Sequence, residues 1–214
     1  MTAKLWGRLS SCNVQKAMWA LEEVGLPYEH IELGGDFGGL DDPAYRARNP
    51  HGKVPTLEDG SVVVWESNAI VRYLAAQYAP GTLWPTTPAE RAGTDQWMAW
   101  TDALYRDWIA LFWKFVRTPP ALRNEAAIAA HYARTIENYA ALDRQLANAP
   151  YIAGNRFTVA DIPAGMTLYR WFEMEIERPP MPHLEAWYDR LKQRPAYVKS
   201  ICIPFDDLVG KVDF

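Results

Sequence analysis

The apolar positions change their period partway along the chain, and the change splits it in two. Ala3 to Trp6 is a short apolar run that enters a polar turn through Gly7, Arg8, Leu9, Ser10 and Ser11. Val14, Ala17, Met18, Leu21 and Val24 then recur at steps of three and four, the stripe of a helix, and Gly25 is placed to stop it. Tyr28 to Leu33 reads as a second strand, Gly34 to Gly39 as a glycine-rich loop, and Pro43 to Asn49 as a short helical turn. Val54 to Glu58 and Ser61 to Trp65 are apolar runs separated by Asp59-Gly60, a dipeptide suited to closing a hairpin. Ile70, Leu74 and Tyr78 mark the face of a further helix opened by Ser67. The predicted order over 1–79 is β-α-β-α-β-β-α, a small α/β unit.

Pro80, Gly81, Pro85 and Pro88 make 80–88 a rigid connector. From 89 to 214 no strand-like alternation occurs. Glu90 to Val116, Asn124 to Asn148, Val159 to Trp171 and His183 to Gln193 carry helical periodicity, with breaks at Pro119-Pro120, Pro150, Pro179-Pro180 and Pro195. This half is predicted to be an all-α helical bundle. Its first helix has two apolar stripes, one through Trp97, Trp100, Leu104, Trp108, Leu111 and Phe115, the other through Met98, Tyr105, Ile109, Phe112 and Val116. A helix in a small bundle needs one such face, so the second must meet a partner subunit, the α/β unit or an apolar ligand.

Composition narrows the function. With 49% hydrophobic and 22% charged residues the chain of 214 residues is globular rather than disordered. A formal net charge of -4 removes the electrostatic basis for binding a nucleic-acid backbone. Two cysteines, Cys12 and Cys202, build no disulfide framework and suit a reducing cytoplasm. No signal-peptide stretch opens the sequence, and no segment reaches the ~18–20 apolar residues of a membrane span. The expected setting is cytoplasmic, with neither membrane nor nucleic acid as partner.

Three places could carry chemistry. Ser10-Ser11-Cys12-Asn13 lies where a strand passes into a helix, and unpaired backbone N–H groups at a helix start favour an anion such as a thiolate. Ser11 or Asn13 could equally be a plain helix cap, and Cys12 could itself be a nucleophile of lowered pKa. No second cysteine stands three residues away, which excludes a dithiol redox cycle. His51-Gly52-Lys53-Val54-Pro55 is the second place: a cis Val54–Pro55 bond would offer the Val54 backbone to an extended peptide, whereas a trans one makes an ordinary turn. Glu66-Ser67 is the third, with Ser67 as the expected N-cap and the pair able to hold a carboxylate and an ammonium.

Taken in order, the serine of the first strand-helix junction, Val54-Pro55 before a hairpin and Glu66-Ser67-Asn68-Ala69-Ile70 opening a helix resemble the cytosolic glutathione S-transferases. Phe157-Thr158-Val159-Ala160-Asp161-Ile162 is similar to that family's capping motif, with Thr158 and Asp161 as a capping box. Gly7-Arg8 followed by Ser11, Asn13, Val14 and Lys16 is similar to serine-type, theta-like bacterial members. The resemblance implies a thioredoxin-like α/β domain that binds glutathione, an all-α domain that supplies the electrophile site, a homodimer and no metal. Ser11 takes the catalytic-serine place, with Cys12 and Asn13 as the alternatives nearby. Val54 and Pro55 would pair with the cysteinyl backbone, Glu66 and Ser67 would hold the γ-glutamyl end, and His51 and Lys53 would lie near the glycine carboxylate. Tyr105, Trp108, Phe112 and Trp113 would form the electrophile wall.

The implied chemistry is adequate in size. A free thiol of pKa about 8.5 is only a few per cent ionised at neutral pH. A hydrogen bond to the charged sulfur and the helix start together can lower that value by about one to two units. The expected activity is transfer of the glutathione thiolate to a hydrophobic electrophile. A cysteine-type thiol transferase or reductase using Cys12, or a noncatalytic carrier of hydrophobic ligands, are the other readings.

Overall fold

The computed structural model describes residues 2–212. In the first part, β1 (Ala3–Trp6) pairs in parallel with β2 (Tyr28–Ile31) and antiparallel with β3 (Thr56–Asp59), which pairs antiparallel with β4 (Val62–Trp65). The result is a mixed four-stranded sheet of order β2-β1-β3-β4. Leu5 sits between His30 and Leu57 in register, and Leu5 and Leu57 are wholly buried. Helices α1 (Cys12–Val24) and α3 (Ser67–Tyr78) pack on each other over this core, while Trp6, one residue on and so on the opposite face of β1, reaches Tyr45 of the short α2 (Pro43–Arg46).

Gly25 does end α1. It is left-handed at φ 66, and its N–H and that of Leu26 return to the carbonyls of Glu22 and Leu21, the Schellman closure that a glycine permits. The hairpin turn falls at Gly60-Ser61, one residue later than the Asp59-Gly60 pair, because Asp59 still pairs with Val62. Three strands are shorter than their apolar runs: β2 stops at Ile31, Val54 and Pro55 precede β3, and Ser61 precedes β4.

The rest is helical: α4 (Pro88–Phe112), α5 (Glu125–Leu146), α6 (Asp161–Glu173), α7 (Pro182–Lys192) and α8 (Pro195–Ile201). Pro195 starts a helix rather than only ending one, as proline at the first helical position allows. The last turn of the predicted Glu90–Val116 helix widens into a π-helical turn over Trp113–Arg117. The stripe of α4 that is buried runs through Thr94, Met98, Thr101, Leu104, Trp108 and Leu111, so Trp97 and Trp100 are only half-buried, stacked edge-on at 5.3 Å. Asp161 is wholly buried and accepts the N–H groups of Ile152 at 3.0 Å and Thr158 at 2.9 Å, which is one half of the expected box; the other half is not formed, because the Thr158 hydroxyl accepts the N–H of Ala160 at 3.3 Å while that of Asp161 goes to the Thr158 carbonyl, and Ala160 is the N-cap of α6.

The two parts share one core. Trp19 of α1 lies 5.5 Å from the ring of Phe157 and 4.8 Å from that of Tyr197. Arg194 clasps both carboxylate oxygens of Glu23, and Arg170 donates to the Ser10 carbonyl at 2.8 Å. These contacts fix α6 against the turn that leads into α1. No helix of the described residues is long and apolar enough to cross a membrane.

Candidate active site

The turn between β1 and α1 is built by a close approach. Gly7 has φ 143, and a Cβ there would stand 2.4 Å from Cγ2 of Val14 and 2.9 Å from Cβ of Val54. Glycine is therefore what lets the strand, the helix and the Val54 loop meet. The Val54–Pro55 bond is cis. Ser11 is the N-cap of α1, its Oγ accepting the Val14 N–H at a long 3.5 Å. Among the described residues its hydroxyl donates to no other group, so the proton stays available to an incoming anion.

A cavity of about 580 Å³ opens beside this turn. Ser11, Cys12, Asn13, Lys53 and Val54 line it from the α/β side. Tyr105, Ile109, Phe112 and Trp113 line it from α4 and the π-helical turn. Serine hydroxyl, helix start and aromatic wall thus share one space.

Trp108 is a correction to the expected wall. It is wholly buried and absent from the cavity lining, packed at 5.9 Å between the rings of Tyr105 and Phe112 on the side of α4 turned into the bundle. Ile109, the next residue, takes its place. Helical period alone cannot decide which of two adjacent apolar stripes faces a cavity.

His51, Pro55, Glu66 and Ser67 lie outside the lining of that space. His51 is exposed, its ring edge-on to Trp65 at 5.0 Å, and Pro55 is buried. Ser67 is not the expected N-cap. Glu66 holds the cap position without a side-chain bond, and Ser67, the first residue of α3, donates instead to Oδ1 of Asn13 at 3.1 Å. The reason is the backbone of Glu66, which at φ 70 occupies a region that non-glycine residues rarely adopt. Such a conformation costs about 1–3 kcal/mol and tends to be kept where a side chain or backbone must be aimed.

The electrostatics of the cavity are positive. Lys16 is buried, its Nζ 4.4 Å over the Tyr105 ring, and burial brings its pKa down to about 8 against the pull of Cys12, Asp102 and Glu66. Burial also lowers Arg8 and Arg117, and a negative charge at Cys12 would favour the ionised forms of Arg8, Lys16 and Arg117 alike. Arg8, Lys53, Arg117 and Arg170 line the same cavity as the first turn of α1. The Tyr105 phenol moves the other way: burial first, then Cys12, raises it above its ordinary value, so it is a proton donor at neutral pH.

Sequence reasoning left out Arg117, Arg170 and Ile109, all of which line the cavity. Arg117 follows Phe115-Val116, and Arg170 stands between Leu168-Tyr169 and Trp171-Phe172. A cation inside an apolar run is a signal that could have marked both. Among the described residues no group of three His, Cys, Asp or Glu is arranged to hold a metal.

Family models described as the N-terminal and C-terminal domains of glutathione S-transferase match residues 1–76 and 108–195. Glutathione S-transferase GstB of Escherichia coli K12 is 42% identical over 94% of this chain and 98% of its own length. The theta class glutathione S-transferase of the citrus canker pathogen Xanthomonas axonopodis pv. citri, solved with glutathione bound, superposes with a TM-score of 0.91 at 54% identity, covering 95% of this chain and 98% of that one. Glutathione S-transferase 4 of Zea mays is 30% identical over 90% of this chain and 89% of its own length.

Proposed function

The chain belongs to the glutathione S-transferase family, and from that premise we propose that it joins the glutathione thiolate to a hydrophobic electrophile, with Ser11 as the donor that steadies the sulfur. The observation that carries the reading is the placing of an uncommitted hydroxyl, a helix start and the wall of Tyr105, Phe112 and Trp113 around one cavity. In this reading Val54 pairs through its backbone with the cysteinyl unit, and Pro55 holds the preceding loop. Glu66 and Ser67 take the γ-glutamyl end, His51 and Lys53 the glycine carboxylate. The aromatic wall positions the electrophile and excludes water from the attack.

The energetics are consistent with this division. A hydrogen bond to a charged group contributes about 1.5–3 kcal/mol and a helix start about 0.3–1 kcal/mol, of which the excess over water remains. At ~1.4 kcal/mol per unit, that lowers the thiol by about one to two units. No general base is needed, and Ser11 is not one.

Cys12 supports a second reading, because it too lines the cavity beside the same cations. There its thiolate would attack the glutathionyl sulfur of a mixed disulfide, forming a Cys12–glutathione disulfide as the substrate thiolate leaves, and a second glutathione thiolate would then displace Cys12 as glutathione disulfide forms, so that the protein would reduce mixed disulfides rather than conjugate electrophiles. Calorimetry of glutathione binding, followed by turnover of a panel of aryl halides, enones, epoxides and a mixed-disulfide substrate, separates these readings. Conjugation retained in Cys12→Ala supports the first; absence of glutathione uptake overturns both. The reading includes a homodimer, supported by Val62 and Val63, which are exposed on the edge strand β4. Sedimentation at micromolar concentration tests it.

A further inference from the structure

We propose that Lys16 is a positioning residue of the conjugation reaction: its buried ammonium, set against the face of the Tyr105 ring, holds that phenol ready as the donor to an electrophile that gathers charge on oxygen. The proposal rests on the conjugation reading and names the substrate class of that same cavity, α,β-unsaturated ketones. Lys16 belongs to α1 and stands one turn beyond Cys12, on the same side of the helix. It is 3% exposed, and its Nζ lies 4.4 Å from the centroid of the Tyr105 ring. Tyr105 lines the cavity together with Ser11 and Phe112, whereas Lys16 does not, so the amine reaches a bound molecule through the tyrosine.

Packing alone gives no reason for an amine at this place. A charge taken out of water costs free energy that a partner has to offset, and a methionine would fill similar space without that cost. The groups that face Lys16 are Cys12 one turn earlier on α1, Asp102 on α4 and Glu66 at the cap of α3. Both acids are exposed, and neither forms an ion pair with Lys16 among the described residues. The contact that remains is the ring face, where the π electrons attract a desolvated cation. With a pKa of about 8, the amine carries its charge at neutral pH.

The wholly buried Trp108 packs against the same ring at 5.9 Å. A packed indole and a buried cation together leave the Tyr105 ring little room to turn. Burial, the largest influence on the phenol, keeps it protonated. A protonated phenol held at the edge of a cavity is a hydrogen-bond donor whose direction is set before the reaction begins. Such a donor contributes most where charge develops on an oxygen and least where the leaving atom accepts hydrogen bonds poorly. Ser11 is assigned to the sulfur, so the phenol remains for the electrophile.

In the reaction, the glutathione sulfur bonds to the β-carbon of the ketone, the π pair of the carbon–carbon double bond shifts, and negative charge gathers on the carbonyl oxygen, which the Tyr105 hydroxyl hydrogen-bonds. The α-carbon then takes a proton from water and the carbonyl re-forms; the hydroxide released balances the proton that glutathione gave up on ionising. The test measures kcat for 4-phenyl-3-buten-2-one and for 2-phenylethyl iodide, whose iodide leaves with the bonding pair and accepts hydrogen bonds poorly, each corrected for the uncatalysed reaction. Lys16→Met should lower the ratio of ketone to iodide rates by about five-fold or more, with the KM for glutathione little changed. Tyr105→Phe should lower that ratio by about ten-fold or more, and adding Lys16→Met to it should lower it no further, because the amine acts through the hydroxyl. Lys16→Gln repeats the comparison with a second neutral side chain, so that misfolding of one variant leaves the other informative. Equal losses with both electrophiles, or additive losses in the double variant, overturn the proposal and leave the conjugation reading standing. So does an inert ketone beside a reacting iodide. If neither compound reacts above background, the conjugation reading fails and the proposal falls with it.

Discussion

The hydroxyl of Ser67 donates to Oδ1 of Asn13 at 3.1 Å, tying the first residue of α3 to the first turn of α1 across 54 positions of chain. Asn13 and Tyr105 line the same cavity, and the Asn13 amide favours the ionised form of the phenol. One amide therefore stands between the proposed γ-glutamyl subsite, the proposed thiolate subsite and the aromatic wall. It sets their spacing without needing to touch the sulfur.

Removing that amide should loosen the spacing more than the chemistry. Asn13→Ala leaves the Ser67 hydroxyl without its acceptor, and a lost hydrogen bond of this kind costs about 1–3 kcal/mol. The expected result is a KM for glutathione raised by about five-fold or more, with the pH at which the bound thiol ionises little changed. Asn13→Asp, which keeps an acceptor in place, should recover most of the affinity. A shift in the ionisation with no change in KM would place Asn13 at the sulfur instead.

Ser11→Ala should do the reverse. Loss of a donor to the anion raises the thiol pKa, by about one unit for a charged hydrogen bond of ordinary strength. Turnover near pH 6.5 should then fall by about ten-fold, while the native and variant rates converge at high pH, where the thiol ionises unaided. Ultraviolet absorbance of the bound thiolate across a pH series reads this directly. Superimposable profiles would remove Ser11 from the reaction.

Much of the fold was legible because its signals are local. The stripe from Val14 to Val24 and its stop at Gly25, the hairpin near Gly60, and the bond from the Thr158 N–H to Asp161 each depend on residues within one or two turns. The site was legible only in part. Ser11, Cys12, Asn13, Lys53 and Val54 meet in space because the Gly7 turn brings β1, α1 and the cis-proline loop together. The misplaced residues fail for stated reasons: Trp108 because two apolar stripes run side by side on α4, Ser67 because the left-handed backbone of Glu66 takes the cap position. Arg117 and Arg170 lie 53 positions apart on different elements, and only folding shows that they face one space.

Lys16 gives a stability test with a definite sign. Its native pKa of about 8 lies below the 10.5 of the unfolded chain, so between those values the unfolded form holds the extra proton and stability rises with pH. Below pH 8 both forms are protonated, and the buried charge costs the native state about 3 kcal/mol at most. Lys16→Met removes this term. Its advantage over the native protein in denaturant unfolding should be largest at pH 7 and should shrink as the pH approaches 10. A difference independent of pH would mean that Lys16 is not desolvated.

Tyr105 and Trp108 stand one turn apart on α4 with ring centroids separated by 5.9 Å, yet they should respond to substitution in opposite ways. Trp108 is wholly buried and is not part of the site cavity's lining, so Trp108→Ala opens a void in the bundle and should cost about 3–5 kcal/mol of stability. Tyr105 lines the cavity, and burial keeps its phenol protonated. Tyr105→Phe keeps the ring and its packing and deletes only the donor, so unfolding should change by less than about 1 kcal/mol, the size of one replaced hydrogen bond. Turnover should change instead, most for electrophiles whose leaving atom or oxyanion can accept that proton and least for those that have none. Should Trp108→Ala alter electrophile preference in a protein of undiminished stability, the wall would have to be redrawn to include it.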